Sequence, residues 1–171
     1  WQLYLQATAV SLPVAVQKLS EALRTWQVME DALMVNHALY YLAATYRRLG
    51  QAQQALFYFS NALQLVRALP DRREEAPTLT NLANLLFDLG ELRKALDYHE
   101  QSLTHWHVLK DSYGEARTLN NLGLVNTQLG APQQALERYG QALAVWQKHG
   151  GRSNARQRPQ SHILRTLALH S

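Results

Sequence analysis

No cysteine occurs in the 171 residues, which excludes disulfides and thiolate metal sites. No apolar run approaches the roughly 18 residues that a membrane-spanning helix needs, and no secretory leader pattern is visible. We therefore expect no membrane partner and a cytoplasmic placement. A glycine-rich phosphate loop and a metalloprotease helix motif are also missing. Charge is sparse: 18% of the residues are charged against 47% hydrophobic, a balance that suits a packed domain and not a disordered one. Acidic residues stop altogether at Glu137.

That last absence explains the net charge of +4. Residues 1–137 carry 11 Lys/Arg against 13 Asp/Glu and are slightly acidic. The basic excess comes from Arg138, Lys148, Arg152, Arg156, Arg158 and Arg165. A basic end of this kind is ordinarily solvated, so we do not expect a nucleic-acid partner.

What is present is repetition. Thr78-Leu-Thr-Asn-Leu-Ala-Asn-Leu-Leu-Phe-Asp-Leu-Gly90 returns forty residues later as Thr118-Leu-Asn-Asn-Leu-Gly-Leu-Val-Asn-Thr-Gln-Leu-Gly130, and is foreshadowed by Ala38 to Gly50. Each copy is followed by a segment with a small residue at Ala55, Ala95 or Ala135 and a Leu behind it. Apolar spacing of three and four residues predicts a helix in every segment. The glycine after each Leu predicts a left-handed C-terminal stop, so consecutive helices form antiparallel hairpins. Asp31, Asp71 and Asp111 stand where N-caps are expected. Inner faces of the second helices read Ala55, Leu56, Phe59, Ala62, Leu63 and Val66, with counterparts forty and eighty residues on that include His99, Ser102, Trp106, Tyr139 and Trp146. The charge cluster at 71–75 reads as a solvated turn. A single hairpin cannot bury its apolar face, so neighbours must stack. The fold class is all-α: a solenoid of stacked antiparallel helical hairpins.

Leu42-Ala43, Leu82-Ala83 and Leu122-Gly123, together with Gly50, Gly90, Gly130, Ala55, Ala95, Ala135, Phe59 and Tyr139, give the chain a pattern that resembles the tetratricopeptide repeat. The forty-residue period resembles the longer-helix subclass found in polarity scaffolds and many bacterial regulators. The resemblance implies a right-handed α-α superhelix of about 3.5–4 repeats, with units near 1–30, 31–70, 71–110 and 111–150. Residues 151–171 would form a basic linker and a partial capping helix or disordered tail. It also implies that first helices line a concave groove. Because the chain begins at Trp1, inside a unit, we expect it to be a fragment of a larger multidomain regulator.

Removing the buried stripe from each first helix leaves His37, Tyr40, Ala44, Arg47 and Arg48, then Pro77, Thr80, Asn84, Phe87 and Asp88, then Arg117, Asn120, Leu124, Thr127 and Gln128. The resemblance gives Asn84, the second Asn of Asn81-Leu-Ala-Asn84, the role of bonding a bound peptide's backbone, for which an amide has both donor and acceptor. Tyr40 and Phe87 would add apolar contact, and Arg47, Arg48 and Arg117 would attract carboxylates. Thr80, Asp88, Asn120 and Gln128 complete the expected peptide-binding set, whereas Asn81 and Asn121 are expected to bond between repeats. The family's clamp for C-terminal carboxylates needs a Lys where Thr80 stands, so a chaperone-tail adaptor is not expected. We expect no catalytic residue, no cofactor and no metal: His99, His105 and His107 span a wide arc of one helix, with His99 on the core stripe. The expected function is a protein- or peptide-binding scaffold that takes an extended or helical segment. The alternative is a self-assembly module, a homo-oligomer joined through its terminal repeats. Leu63, Leu103 and Leu143 are expected to fill the groove between paired helices, and replacing one of them by Ala should lower the unfolding free energy by about 2–5 kcal/mol in urea denaturation.

Overall fold

The computed structural model describes residues 11–149, with the side chain of His149 left aside. The expected helix remnant at 1–10 and the tail at 151–171 lie outside them. Seven helices and no strand occur among the described residues: α1 Ser11–Val28, α2 Ala32–Arg48, α3 Ala52–Ala68, α4 Glu75–Asp88, α5 Leu92–Leu109, α6 Ser112–Gln128 and α7 Pro132–His149. The architecture is the all-α superhelix of stacked hairpins, α2–α3, α4–α5 and α6–α7, with α1 packed before them. First helices α2, α4 and α6 neighbour one another in one layer, and α3, α5 and α7 do so in the other.

The hairpin turns show why the Leu-Gly pairs recur. Gly90 has φ +76°, its N–H donates to Phe87 O at 3.0 Å, and Glu91 N–H reaches back to Leu86 O at 2.9 Å. This double bond satisfies carbonyls that the helix end leaves open, and the backbone it requires is one that a Cβ disfavours. Gly50 and Gly130 repeat the geometry.

Joints between hairpins differ. Glu30 and Lys110 both take left-handed φ values, 56° and 55°, where α1 and α5 stop. Asp31 then caps α2 by accepting from Met34 N, and Asp111 caps α6 by accepting from Tyr113 N and Gly114 N. At the corresponding place between α3 and α4 stands Pro70, whose ring fixes φ near −65° and forbids that turn. Here the chain leaves α3 through an extended Leu69 and needs six residues to reach α4. Asp71 is not a cap, contrary to expectation; its carboxylate turns onto Arg73, accepting from the backbone N at 3.1 Å and from the guanidinium. Glu74 begins α4 with no side-chain cap.

The 71–75 cluster is also not simply a solvated turn. Glu75 is 1% exposed. Arg67 Nε donates to its Oε1 at 2.8 Å, Arg72 Nη2 lies 2.6 Å from Oε2 as an ion pair outside hydrogen-bond alignment, and His105 Nε2 is 3.5 Å away. Since a buried carboxylate is costly unless paired, this knot holds α3, α4 and α5 in register where the backbone joint is longest.

Within hairpins, the small residues govern approach. Tyr139 is 1% exposed, and its ring fills the space where Gly123 would carry a Cβ. Trp106 does the same at Gly114, binding α5 to α6. Of the leucines expected in the groove between helices, Leu63 and Leu103 are buried, but Leu143 is only half-buried because no later helix covers it among the described residues. Gly140 faces open space. Gly123→Ala should therefore cost about 1–3 kcal/mol through overpacking. Gly140→Ala should instead stabilise by about 0.4–1 kcal/mol, so the two single-methyl additions should move the urea midpoint in opposite directions.

Candidate functional site

The first helices are packed on several sides, so little of each remains open. Between Glu75 and Leu86 in α4, every side chain except Pro77, Asn81 and Asn84 is buried. With Asp88 these make a line at intervals of four, three and four residues, the spacing of one helix face. The matching lines are His37, Tyr41, Ala44 and Arg48 on α2, and Tyr113, Arg117, Asn121, Leu124 and Gln128 on α6.

Against these lines the expected residues divide. Thr80 is a correction: it is 0% exposed and points at α5, away from any partner. Its hydroxyl lies 2.6 Å from that of Ser102, donates to Ala76 O at 3.0 Å and accepts from Trp106 Nε1 at 3.2 Å. Four polar groups thus satisfy one another in the core, as burial demands. Asn120 holds the same repeat position on α6; it is half-buried and makes no side-chain hydrogen bond among the described residues. Tyr40, also at that position, turns its ring edge-on to Phe59 at 5.9 Å, while its hydroxyl accepts from Asn81 Nδ2 at 2.7 Å. Phe87 is half-buried against the core of α2–α5.

The remaining expected residues lie on or beside the open lines. Arg47 on α2 and Asp88 on α4 are joined to each other, Nη2 to Oδ2 at 2.7 Å. An exposed pair of this kind contributes about 0–1 kcal/mol, but it occupies both charges. His37 Nε2 lies 3.8 Å from Glu74 between the same two helices. Arg48, Arg117 and Gln128 are exposed. Arg117 lies over the Tyr113 ring, 5.9 Å from its centroid.

Asn84 carries the most informative contact. Asn121 Nδ2 donates to Asn84 Oδ1 at 2.9 Å. Asn81 and Asn121 thus both bond between repeats, as their sequence positions suggested. The pairing uses one end of each amide. Asn84 Nδ2 remains a donor and Asn121 Oδ1 an acceptor, neither with a partner among the described residues. Sequence subtraction missed Asn81, Asn121 and Tyr41 as members of the open line because 80 and 81 sit only 100° apart on a helix. The signal available was the Ser102 and Trp106 pair opposite Thr80.

The three histidines of α5 do not converge. His99 is 1% exposed, His105 faces Glu75, and His107 lies 3.6 Å from Glu115. Among the described residues no group of three or more His, Asp or Glu is placed to hold a metal, and no helix is long and apolar enough to cross a membrane.

Among the described residues His99 is the one strongly shifted group. Burial, and then the positive charge of Arg117, push its pKa down from 6.5 to about 4; its Nδ1 has no hydrogen-bond partner.

Several known proteins share this fold. A family model described as tetratricopeptide repeat matches residues 34–106 and 74–148. No curated protein matches the sequence. Among solved structures, BtubC (BKLC) from P. vanneervenii superposes with a TM-score of 0.70 at 22% identity, covering 86% of this chain and 61% of its own. The nearly identical TPR-like repeats of a putative kinesin light chain from Podosopora anserina give 0.69 at 17%, covering 81% and 69%. Aspartyl phosphate phosphatase F from Bacillus subtilis gives 0.75 at 16%, covering 86% and 38%. This chain therefore spans about three fifths of the first of these proteins and under two fifths of the last. At such identities the likeness is one of fold.

The histidine yields a measurable consequence. The unfolded chain takes up a proton at His99 near pH 6.5 and the folded chain only near 4. Between those values acidification favours unfolding, and the stability contributed by the neutral imidazole, about 3 kcal/mol, is lost as pH falls from 6.5 through 4. Urea denaturation across that range should show a shallower acid decline for His99→Phe than for the wild-type chain.

Proposed function

The chain belongs to the tetratricopeptide repeat family, and from that premise we propose that the open face of α4 and α6 binds an extended segment of a protein partner. The family consists in general of non-catalytic scaffolds for protein interaction, and the fold of this chain supplies the long continuous face such a role needs.

The observation that carries the reading is the Asn121–Asn84 bond. An amide has two donors and two acceptor positions. By bonding Nδ2 to Oδ1 at 2.9 Å, the two side chains become one unit with a donor at one end and an acceptor at the other. A backbone peptide unit offers the complement, a carbonyl and an N–H. The pair binds the main chain of a ligand whatever its side chains, and selection among ligands falls to the residues around it. Holding each amide with the other also lowers the entropy cost of ordering them when a ligand arrives.

The surroundings fit an extended segment. Leu124 and Ala44 supply small half-buried apolar surface on the same face, and Arg117 and Gln128 supply charge and polarity. Asn81 is tied to Tyr40 and to Pro77 O, which fixes the neighbouring helix. Thr80 takes no part.

Selecting the chain against a random peptide library, then measuring the enriched peptides by fluorescence anisotropy, tests this. Asn84→Ala should weaken them about tenfold, the value of one or two hydrogen bonds lost from a preorganised pair. Asn121→Ala should act in the same direction, since it frees Asn84 to rotate. Undiminished affinity in both variants, with unchanged melting temperature, would sink the proposal.

A further inference from the structure

The open face is divided into two unlike halves. Between α2 and α4 polar contacts cross the face: Arg47 pairs with Asp88, Asn81 donates to the Tyr40 hydroxyl, and His37 Nε2 lies 3.8 Å from Glu74. Between α4 and α6 no ion pair crosses among the described residues, and the Asn121–Asn84 bond is the one side-chain hydrogen bond between them there. The line along α6 contains a cation and no acid. Glu115, two residues before Arg117, faces His107 of α5, and the one acid on the α4 line, Asp88, is paired with Arg47.

Arg117 is therefore the charge that this face leaves uncompensated. It is exposed and has no carboxylate within ion-pair distance among the described residues. Tyr113, 48% exposed, lies beneath its guanidinium and is itself braced edge-on by Trp146 at 5.5 Å. A guanidinium resting on an aromatic face is weakly hydrated and partly oriented, and its remaining N–H edge matches a carboxylate.

We propose that the segment bound between α4 and α6 is acidic: an Asp or Glu side chain sets its carboxylate on Arg117 while the adjoining backbone runs along the Asn84–Asn121 pair. This rests on the groove reading and narrows it from any peptide to one of stated charge. It also assigns the two arginines opposite roles. Arg47 latches first helices together, and Arg117 faces the ligand.

The charge of Arg117 gives a second way to see the contact. It is one of the two causes that hold the His99 imidazole neutral. An anion seated on Arg117 cancels part of that field, so His99 titrates at higher pH in the complex than in the free chain.

The experiment is selection of the chain, and of its Arg117→Ala, Arg117→Glu, Arg47→Glu and Asn84→Ala variants, against a random peptide library. Wild-type protein should enrich peptides rich in Asp and Glu, binding should weaken about tenfold in Arg117→Ala, and Arg117→Glu should reverse the preference toward Lys and Arg. The His99 imidazole resonance should titrate higher with an enriched acidic peptide bound. Enrichment without acidic bias, or a bias unchanged in Arg117→Glu, overturns the charge assignment and leaves the groove reading standing. A bias abolished by Arg47→Glu alone overturns it too, by moving the anchor to Arg47. Failure of wild-type protein to enrich any peptide, or enrichment indifferent to Asn84→Ala, removes the groove reading and this inference together.

Discussion

There is no room for one methyl group at Gly123, because the ring of Tyr139 already occupies the place. The arrangement of the chain follows from close approaches of this kind. At the corresponding positions Phe59 and Ala43 belong to one core, and His99 replaces the aromatic ring with a smaller polar one beside Ala83. Approach at this distance lets short helices bury whole stripes. Burial at about 25 cal/mol per Å² of apolar surface then outweighs the cost of ordering helices that would be marginal alone. Stacking follows from the same limit, since each hairpin has a second apolar face that only its neighbour can cover.

The helices, turns and inner stripes were legible in the sequence because they obey a local rule. A Leu-Gly pair at the end of an apolar stripe, as at Gly50, Gly90 and Gly130, stops the helix there, and spacing of three and four marks a face without knowledge of what covers it. The parts that were not legible all depend on a partner distant in sequence. Thr80 looks like a surface residue until Ser102, twenty-two positions on, is placed 2.6 Å away. Glu75 looks like part of a solvated turn until Arg67, Arg72 and His105 close around it. Arg47 and Asp88 look like two contacts for a ligand until each proves to be the other's counter-ion across forty-one residues. Asp71 fails as a cap for a local reason, since Pro70 before it lengthens the joint.

Polar groups in this chain serve two separate ends. In the core they correct the repeat: the Thr80–Ser102–Trp106 node lies within the α4–α5 hairpin, and the Glu75 knot ties that hairpin to α3, marking it as different from its neighbours. Such buried groups contribute more to fixing one register than to raw stability, since each must first recover its desolvation cost. On the open face the polar groups lie between helices instead of within them. There the α2–α4 side is tied by the Arg47–Asp88 pair and the Asn81–Tyr40 bond, while the α4–α6 side keeps an amide donor, an amide acceptor and a cation with no carboxylate beside it among the described residues. A scaffold built from repeated first helices thereby acquires a direction.

The glycine turns at 50, 90 and 130 separate what can change from what cannot. Because each closes its hairpin with the same left-handed residue at the same interval, a duplication or deletion of forty residues returns the chain to the same phase, and every inner stripe meets a matching one. Any other change of length rotates the downstream helices relative to their neighbours and exposes what was covered. Lineages of such chains can therefore grow or shrink by whole hairpins in one genetic event. On the narrow open line, Ala44 and Leu124 pack on the core, but exposed positions such as 88, 117 and 128 can be rewritten one codon at a time.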